Sequence, residues 1–267
     1  MNGTEGISPL YFCCALLSAL PKGEAFALMR EAAAGGISLF CTSEAAGPFE
    51  NERLVGEGLA REQLAGRVLA ATAFGCDFRK GGGALNSRPE HIREALEGSL
   101  ARLGLPRADF LFQQAEDPAV PPEEAAGEVA RLIAEGKAGG FGLCSPRPEY
   151  ARRASVACPV SLIMAEASPW EHGKADAAAR LARELGARLL LWGNFAPLPG
   201  PGPRPKAEEE VGAIEARLGV GRAAASAAWL LCRYPGASVF APAIDSASLA
   251  EALAAAGMKP GNGKKEF

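Results

Sequence analysis

The chain has 267 residues, of which 48% are hydrophobic and 22% are charged. This is the composition of an ordinary globular protein with a large core, and the length is normal for one α/β barrel. The formal net charge of -3 gives no electrostatic reason to expect nucleic acid or an anionic membrane as a partner.

The seven cysteines do not form a metal-binding pattern. Their spacing is irregular, no pair of CxxC units occurs, and the chain has only two histidines, so we expect no metal site. Reduced, buried thiols are predicted instead.

The apolar run at residues 9–20 lacks a preceding basic segment and is shorter than the roughly 20 residues that span a membrane. We therefore predict a cytoplasmic protein without membrane association.

Short apolar runs alternate along the chain with stretches of helical period. The runs predicted as strands are 10–15, 37–42, 67–74, 109–114, 139–145, 160–167, 188–195 and 238–243. Their continuous apolar character favours parallel strands that are covered on both faces. The helical stretches are 24–34, 51–61, 89–103, 123–135, 148–157, 175–185, 208–218, 222–232 and 248–256.

Eight strand–helix units without a break in composition predict one (β/α)₈ TIM barrel domain over residues 1–267. An open doubly wound sheet would show the same periodicity and remains the alternative.

Ser87 and Glu90 predict a capping box before the third helix. The glycines predicted to end helices are Gly104, Gly136 and Gly186. The proline-rich residues 196–206 are predicted to be an extended connector at the carboxyl ends of the strands, where barrels place their sites.

Three segments carry a recognisable pattern in a fixed order. They are GGISLFCTSEAAGPFENERLVGEGLA at 35–60, LNSRPEHIREALEGSLARLGL at 85–105 and the run that begins DFLFQQAED at 109 and ends at 145. Together they resemble the aldo-keto reductase family, and the similarity covers residues 8–198 well. The resemblance implies a carbonyl reductase in which NADPH supplies hydride and a tyrosine supplies the proton.

All four positions of that family's catalytic tetrad carry a different residue in this chain. The resemblance places Cys41 at the aspartate, Ala46 at the tyrosine, Ala73 at the lysine and Gln114 at the histidine. A developing alkoxide needs a proton donor within hydrogen-bond reach, and a phenol needs a nearby cation to donate near neutral pH. We therefore expect that catalysis of the family type is lost.

The positions that hold the cofactor in the family are altered as well. By resemblance they are Cys144, Ser145, Met164, Phe195 and Ser246. Met164 replaces a glutamine that bonds the nicotinamide amide, and only Phe195 keeps an aromatic face. The family binds the 2′-phosphate of the cofactor with basic residues in the segment that corresponds to 241–253. This segment contains Asp245 and no basic residue here, so the strongest charge-assisted hydrogen bonds to the phosphate are missing. We expect no cofactor, or NADP(H) if any is bound.

Three functions stay open at this point. The first is a pseudoenzyme that binds a small molecule. The second is an enzyme with recruited non-redox chemistry, which would use Cys41, Glu44, Gln114 or His172 in the mouth. The third is a residual NADP(H)-dependent oxidoreductase that protonates through water. The candidates for lining the pocket are Cys41, Glu44, Gln114, Met164, Trp170, His172, Trp192 and Phe195.

The pocket itself allows two outcomes. We predict an open, mainly apolar mouth, as is usual for small-molecule sites. The alternative is collapse, in which Phe12, Phe74, Met164 or Trp192 fills the space, because close packing disfavours voids. Of the remaining polar residues, Glu166 and His172 could pair across the mouth, and His91 is placed on an exposed helix face.

Overall fold

The computed structural model describes residues 4–78, 83–193 and 205–257. Its strands are β1 (Leu10–Cys13), β2 (Leu39–Cys41), β3 (Leu69–Asp77), β4 (Ala84–Asn86), β5 (Phe110–Gln113), β6 (Phe141–Cys144), β7 (Val160–Glu166), β8 (Arg188–Trp192) and β9 (Ser238–Phe240). The helices are α1 (Lys22–Ala34), α2 (Glu50–Arg61), α3 (Pro89–Leu103), α4 (Pro122–Ala134), α5 (Pro148–Ala157), α6 (Gly173–Leu185), α7 (Pro205–Leu218), α8 (Arg222–Arg233) and α9 (Ser246–Ala256).

Eight of these strands close into a parallel barrel. The first strand, β1, pairs with β2 on one side and with β9 on the other, and the ring continues through β3, β5, β6, β7 and β8. Each crossover between consecutive strands of the ring contains at least one helix. The closed ring confirms the predicted TIM barrel and excludes the open sheet.

The barrel strands are apolar on both faces because helices cover the outside while side chains fill the inside. In β5, Phe110 and Phe112 belong to the interior cluster, whereas Leu111 packs with the helices. In β6, Gly142 has no side chain, and the Phe112 ring occupies the space in which a Cβ would lie. The alternation therefore places every second residue of a strand inside the barrel.

Replacing Gly142 by alanine should destabilise the barrel. The new methyl group overlaps the Phe112 ring, so the ring has to move and interior packing is lost, at a cost of about 1–3 kcal/mol. Thermal unfolding measures this loss. Gly127→Ala is the matched control, because this glycine lies in α4 and a methyl group added there would have nothing within 4 Å. The better helix former should leave stability unchanged or slightly higher. Equal melting temperatures for the two variants would contradict the packing argument.

Several local predictions need correction. The chain leaves β1 at Cys13 and forms a 3₁₀ helix at Cys14–Ala19, so the first strand is shorter than predicted. Strand β3 runs on to Asp77 and pairs antiparallel with the unpredicted β4. Residues 205 and 206 belong to α7 rather than to an extended connector, while residues 196–204 lie outside the described ranges.

The helix ends give a mixed outcome. Gly104, Gly136 and Gly186 follow α3, α4 and α6 with positive φ, as predicted. The capping box at Ser87 is wrong: Arg88 precedes α3, and no side chain caps that helix. The Ser87 hydroxyl instead accepts a hydrogen bond from Gln113 Nε2 at 2.9 Å. Gln113, which is 26 residues away in the chain, therefore binds the hydroxyl group that was predicted to cap α3.

None of the helices in the described part of the chain has the length and apolar character that crossing a membrane requires.

Candidate functional site

A cavity of about 500 Å³ opens at the carboxyl ends of the barrel strands. The strand ends supply Cys13, Cys41, Cys144, Trp192 and Phe240, and the loops that follow complete the wall. The other lining residues are Tyr11, Ala15, Leu16, Thr42, Ser43, Ala46, Ala73, Phe112, Gln114, Ser145, Met164 and Gly193. Parallel barrels carry their sites at this end, so the cavity is the candidate functional site.

The four positions assigned to the tetrad all line this one cavity. Cys41 ends β2, Ala73 lies within the neighbouring β3, Ala46 comes from the loop before α2, and Gln114 follows β5. Phe12 and Phe74 belong to the cluster between barrel and helices, so they do not fill the space. The described residues therefore leave the mouth of the barrel open. Phe195 lies outside the described ranges.

Among the described residues, no charged side chain lines the cavity. Four sulfur-bearing residues do, namely Cys13, Cys41, Cys144 and Met164, and the Cys144 thiol lies 4.0 Å from the Met164 sulfur. All of the cysteines are free thiols. Across the described ranges, no cluster of three or more His, Cys, Asp or Glu side chains is arranged to hold a metal ion. The described wall is therefore apolar and polarisable rather than ionic.

The one aromatic hydroxyl in the described wall was missed by sequence reasoning. Tyr11 is 2% exposed and lines the cavity from β1, yet its hydroxyl makes no hydrogen bond within the described residues. Burial raises the pKa of Tyr11, and the neighbouring thiols raise it further, so the phenol is neutral at ordinary pH. The signal that could have found it is the strand alternation, which places Tyr11 and Cys13 on the same face of β1.

The cavity thiols are poor nucleophiles. Burial raises the pKa of Cys41 and Cys13, and it raises the pKa of Cys144 to about 12, since no cation among the described wall residues stabilises a thiolate. At pH 8 a thiol of pKa 12 forms about a thousandfold fewer thiolates than one at the ordinary value of 9. Nucleophilic chemistry by Cys41 is disfavoured on this ground.

We expect the cavity thiols to react slowly with iodoacetamide in the folded protein. At pH 8, alkylation of Cys41 and Cys144 should be at least about a hundredfold slower than in the urea-unfolded chain, because both burial and the raised pKa protect them. Peptide mass spectrometry resolves each cysteine. If Cys41 were alkylated as fast in the folded protein as in the unfolded chain, it would again be a candidate nucleophile.

A buried polar network supports the wall from behind. Glu52 in α2 is fully buried and accepts hydrogen bonds from Arg102 Nε and Thr72 Oγ1, each at 2.6 Å. Asn51 accepts from Thr42 Oγ1 at 2.6 Å and donates to the Cys14 carbonyl at 2.8 Å. These bonds tie α2 to α3, to β3 and to the loops of the mouth.

Three predicted lining residues do not reach the cavity. Glu44 is buried beside Arg102, 3.6 Å from its guanidinium. The indole of Trp170 donates to Glu208 in α7 at 3.1 Å. His172 lies 3.2 Å from Asp176 Oδ2 and against Trp229. Each of these side chains contacts residues of the surrounding helices instead of the cavity, and the sequence around it does not indicate this.

Two further placements differ from the predictions. Glu166 lies 3.6 Å from Lys174 rather than pairing with His172 across the mouth. His91 is 5% exposed, and its Nε2 lies 3.3 Å from the Cys76 carbonyl, so it is not on an exposed helix face.

The start of α9 is closed by an acidic cap. Asp245 accepts from the Ser248 backbone N–H at 2.8 Å, and the two residues form a reciprocal capping box. The hydrogen bonds from Ser248 lower the pKa of Asp245, so its carboxylate is charged at neutral pH. Ser246 is the exposed first residue of this helix. A negative charge at this helix start repels an anionic group such as a phosphate.

Closed parallel strands with a cavity at their carboxyl ends define an α/β barrel with its candidate site at the usual end. A family model described as the aldo/keto reductase family matches residues 15–201. The chain belongs to the aldo/keto reductase family.

A relative described as "Probable aldo-keto reductase 1" from Glycine max is 32% identical over 192 residues. The match takes in 69% of this chain and 55% of that relative, so the chain spans about half the length of the curated protein.

Solved structures agree in fold at lower identity. A glycerol dehydrogenase from Gluconobacter oxydans has a TM-score of 0.82 at 19% identity, covering 95% of this chain and 88% of its own. An aldo-keto reductase from Bacillus halodurans in its holo form has a TM-score of 0.77 at 23% identity, with the same coverage. An aldo/keto reductase from Klebsiella pneumoniae in complex with NADP and acetate has a TM-score of 0.74 at 17% identity, covering 94% and 87%.

Proposed function

We propose that this chain is a member of its family that has lost NADPH-dependent carbonyl reduction and binds a small uncharged molecule in the mouth of the barrel. The observation that carries the proposal is the chemistry of the cavity wall. Among the described residues it has the volume of a small-molecule site, no charged side chain and an unpartnered phenol at Tyr11.

The described residues do not fit NADP(H) as the family is expected to hold it. A dinucleotide phosphate is bound through cations and positive helix ends. The described wall offers no cation, and Asp245 stands at the start of α9. The space that Ala46 and Ala73 leave open is instead accessible to a ligand of low polarity.

The wall indicates which uncharged ligands fit. Thioether, thiol and aromatic groups favour an apolar body. The Tyr11 hydroxyl is the aromatic donor of the described wall, so a ligand oxygen that accepts from it gains a hydrogen bond that the described wall does not supply. An anionic ligand would lose its hydration with no cation of that wall to replace it.

Recruited catalysis has less support than binding. Of the side chains considered for it, Glu44 and His172 lie away from the cavity, and Cys41 is a thiol with a raised pKa. Gln114 lines the cavity, but its neutral amide does not exchange a proton near neutral pH. The neutral Tyr11 has no cation beside it in the described wall, so it suits hydrogen bonding better than proton transfer.

Matched naphthalene probes test the proposal. We expect 2-acetylnaphthalene to bind with fluorescence saturation, 2-ethylnaphthalene to bind about tenfold more weakly because it lacks the acceptor, and 2-naphthoate not to bind. Tyr11→Phe should remove the difference between the first two. Ala46→Phe should block all binding by filling the cavity, while Ala119→Phe, at an exposed loop residue outside it, is the control.

Calorimetric titration of NADPH is the complementary measurement. We expect no dissociation constant in the sub-micromolar range, because the phosphate contacts are missing. Tight NADPH binding together with failure of the probes would overturn the proposal in favour of a retained oxidoreductase.

A further inference from the structure

A second pocket lies at the opposite end of the barrel, near the amino-terminal ends of β8 and β9. Its volume is about 260 Å³. The floor comes from the start of β8, and the walls come from the last turns of α6 and the segment between α8 and β9. The charged side chains of the described chain that line it are Arg183, Arg188 and Arg233, and no carboxylate of those ranges joins them.

The central cation of this pocket is poorly compensated. Arg188 is half-buried, and within the described residues its guanidinium makes one hydrogen bond, from Nε to Ser238 Oγ at 3.0 Å. The terminal nitrogens have no acceptor there. Burial lowers the pKa of Arg188, with no acidic side chain to counteract this effect in the described ranges. A guanidinium that has lost part of its hydration without gaining a counter-ion is unfavourable unless an anion joins it.

The nearby carboxylates are already engaged. Asp176 accepts from Arg233 at 3.1 Å and from the Tyr234 hydroxyl at 2.7 Å, so it neutralises Arg233 outside the pocket. Glu184 is held by Arg152 in a two-bond ion pair at 2.7 and 2.9 Å. The uncompensated positive charge in the pocket therefore belongs to Arg188 and Arg183.

Capping of helix ends does not explain these arginines. The carbonyls of Ala182 and Arg183 at the end of α6 accept from the backbone N–H groups of Ala187 and Gly186. The Leu230 carbonyl in α8 accepts from the Tyr234 N–H in the same way. Because these acceptors are satisfied by backbone, the guanidinium donors of Arg183 and Arg188 are left for another partner.

We propose that this pocket is a second binding site, which takes a small dianion of the phosphate or phosphomonoester type through Arg188 and Arg183. Guanidinium groups present paired N–H donors that match phosphate oxygens. A volume of about 260 Å³ accommodates such a group together with a short substituent. The site is independent of the mouth, because the two cavities share no lining residue in the described chain.

Inorganic phosphate is the probe, and potassium chloride at equal ionic strength is the reference. We expect saturable binding of phosphate by calorimetry and a phosphate-dependent rise in melting temperature. Arg188→Gln and Arg183→Gln should each weaken binding at least about tenfold, because each removes a charge-assisted bond. Arg67→Gln is the matched control, since this exposed arginine precedes β3 at the same end of the barrel but does not line the pocket.

The variants separate a specific site from a general salt effect, because phosphate also stabilises proteins by exclusion from their surface. An equal rise in melting temperature in all four proteins, or no saturable binding to the natural chain, would overturn the proposal. If Arg188→Gln does not fold, the exposed Arg183→Gln decides alone. Succinate at equal concentration is expected to bind more weakly than phosphate; tighter succinate binding would assign the site to dicarboxylates and overturn the phosphate assignment.

Discussion

Arg102→Met is expected to lower the free energy of unfolding by about 3–5 kcal/mol, because it strands a carboxylate inside the protein. Glu52 is fully buried, and its hydrogen-bond donors in the described chain are Arg102 and Thr72. With the guanidinium removed, only the Thr72 hydroxyl would remain beside the charge. Arg102 also lies 4.7 Å from the centre of the Phe49 ring, so the residue that precedes α2 loses a contact as well.

Urea unfolding followed by circular dichroism measures this loss. Lys22→Met is the matched control, because it breaks the exposed ion pair with Glu57 at 2.8 Å, which should contribute no more than about 1 kcal/mol. The double variant Arg102→Met with Glu52→Leu should recover only part of the stability, since the Glu52 charge is removed with its partner while the buried Glu44 still loses the guanidinium 3.6 Å away. A loss below about 1 kcal/mol for Arg102→Met would show that Glu52 is compensated by other means.

Turnover of NADPH with small aldehydes and ketones should stay at the background rate. Loss of a general acid alone lowers a rate by about 10²–10⁴-fold, and the described cavity wall holds no cation to activate a substitute phenol. The decay of NADPH absorbance with a carbonyl panel measures this, and a family member that carries all four tetrad residues is the positive control. A robust decay that depends on this protein would contradict the proposed loss of reduction.

A variant that carries the four tetrad residues of the family tests how much of the lost reductase activity is due to the tetrad. It combines Cys41→Asp, Ala46→Tyr, Ala73→Lys and Gln114→His. We expect turnover to appear only at high NADPH concentration, because Asp245 at the start of α9 still opposes the phosphate. Full activity at low NADPH would show that cofactor binding never depended on that segment.

The barrel could be predicted because its signals repeat along the chain. Eight apolar runs and the helical stretches between them fix the element order, and α3 and α5 begin and end where their periodicity indicates. The tetrad positions could be assigned because they lie next to long segments of family type. All of them line one cavity.

Two of the errors share a physical cause, which is competition from partners far along the chain. Ser87 was expected to cap α3, but Gln113 and Asp117 bind it. Trp170 was expected at the mouth, but Glu208 holds its indole on the outer layer. Local sequence predicts what a side chain can do, whereas tertiary contacts decide which of these possibilities is used.

The Glu52–Arg102 pair and the cavity wall have no residue in common within the described ranges. A protein engineer can therefore vary the mouth without removing the ion pair that joins α2 to α3. Ala46 and Ala73 are small and line the open cavity, and Gln114 is exposed, so these positions have room for larger side chains. A library at these three sites should yield mostly folded variants, which makes this barrel a convenient host for installing a new reaction.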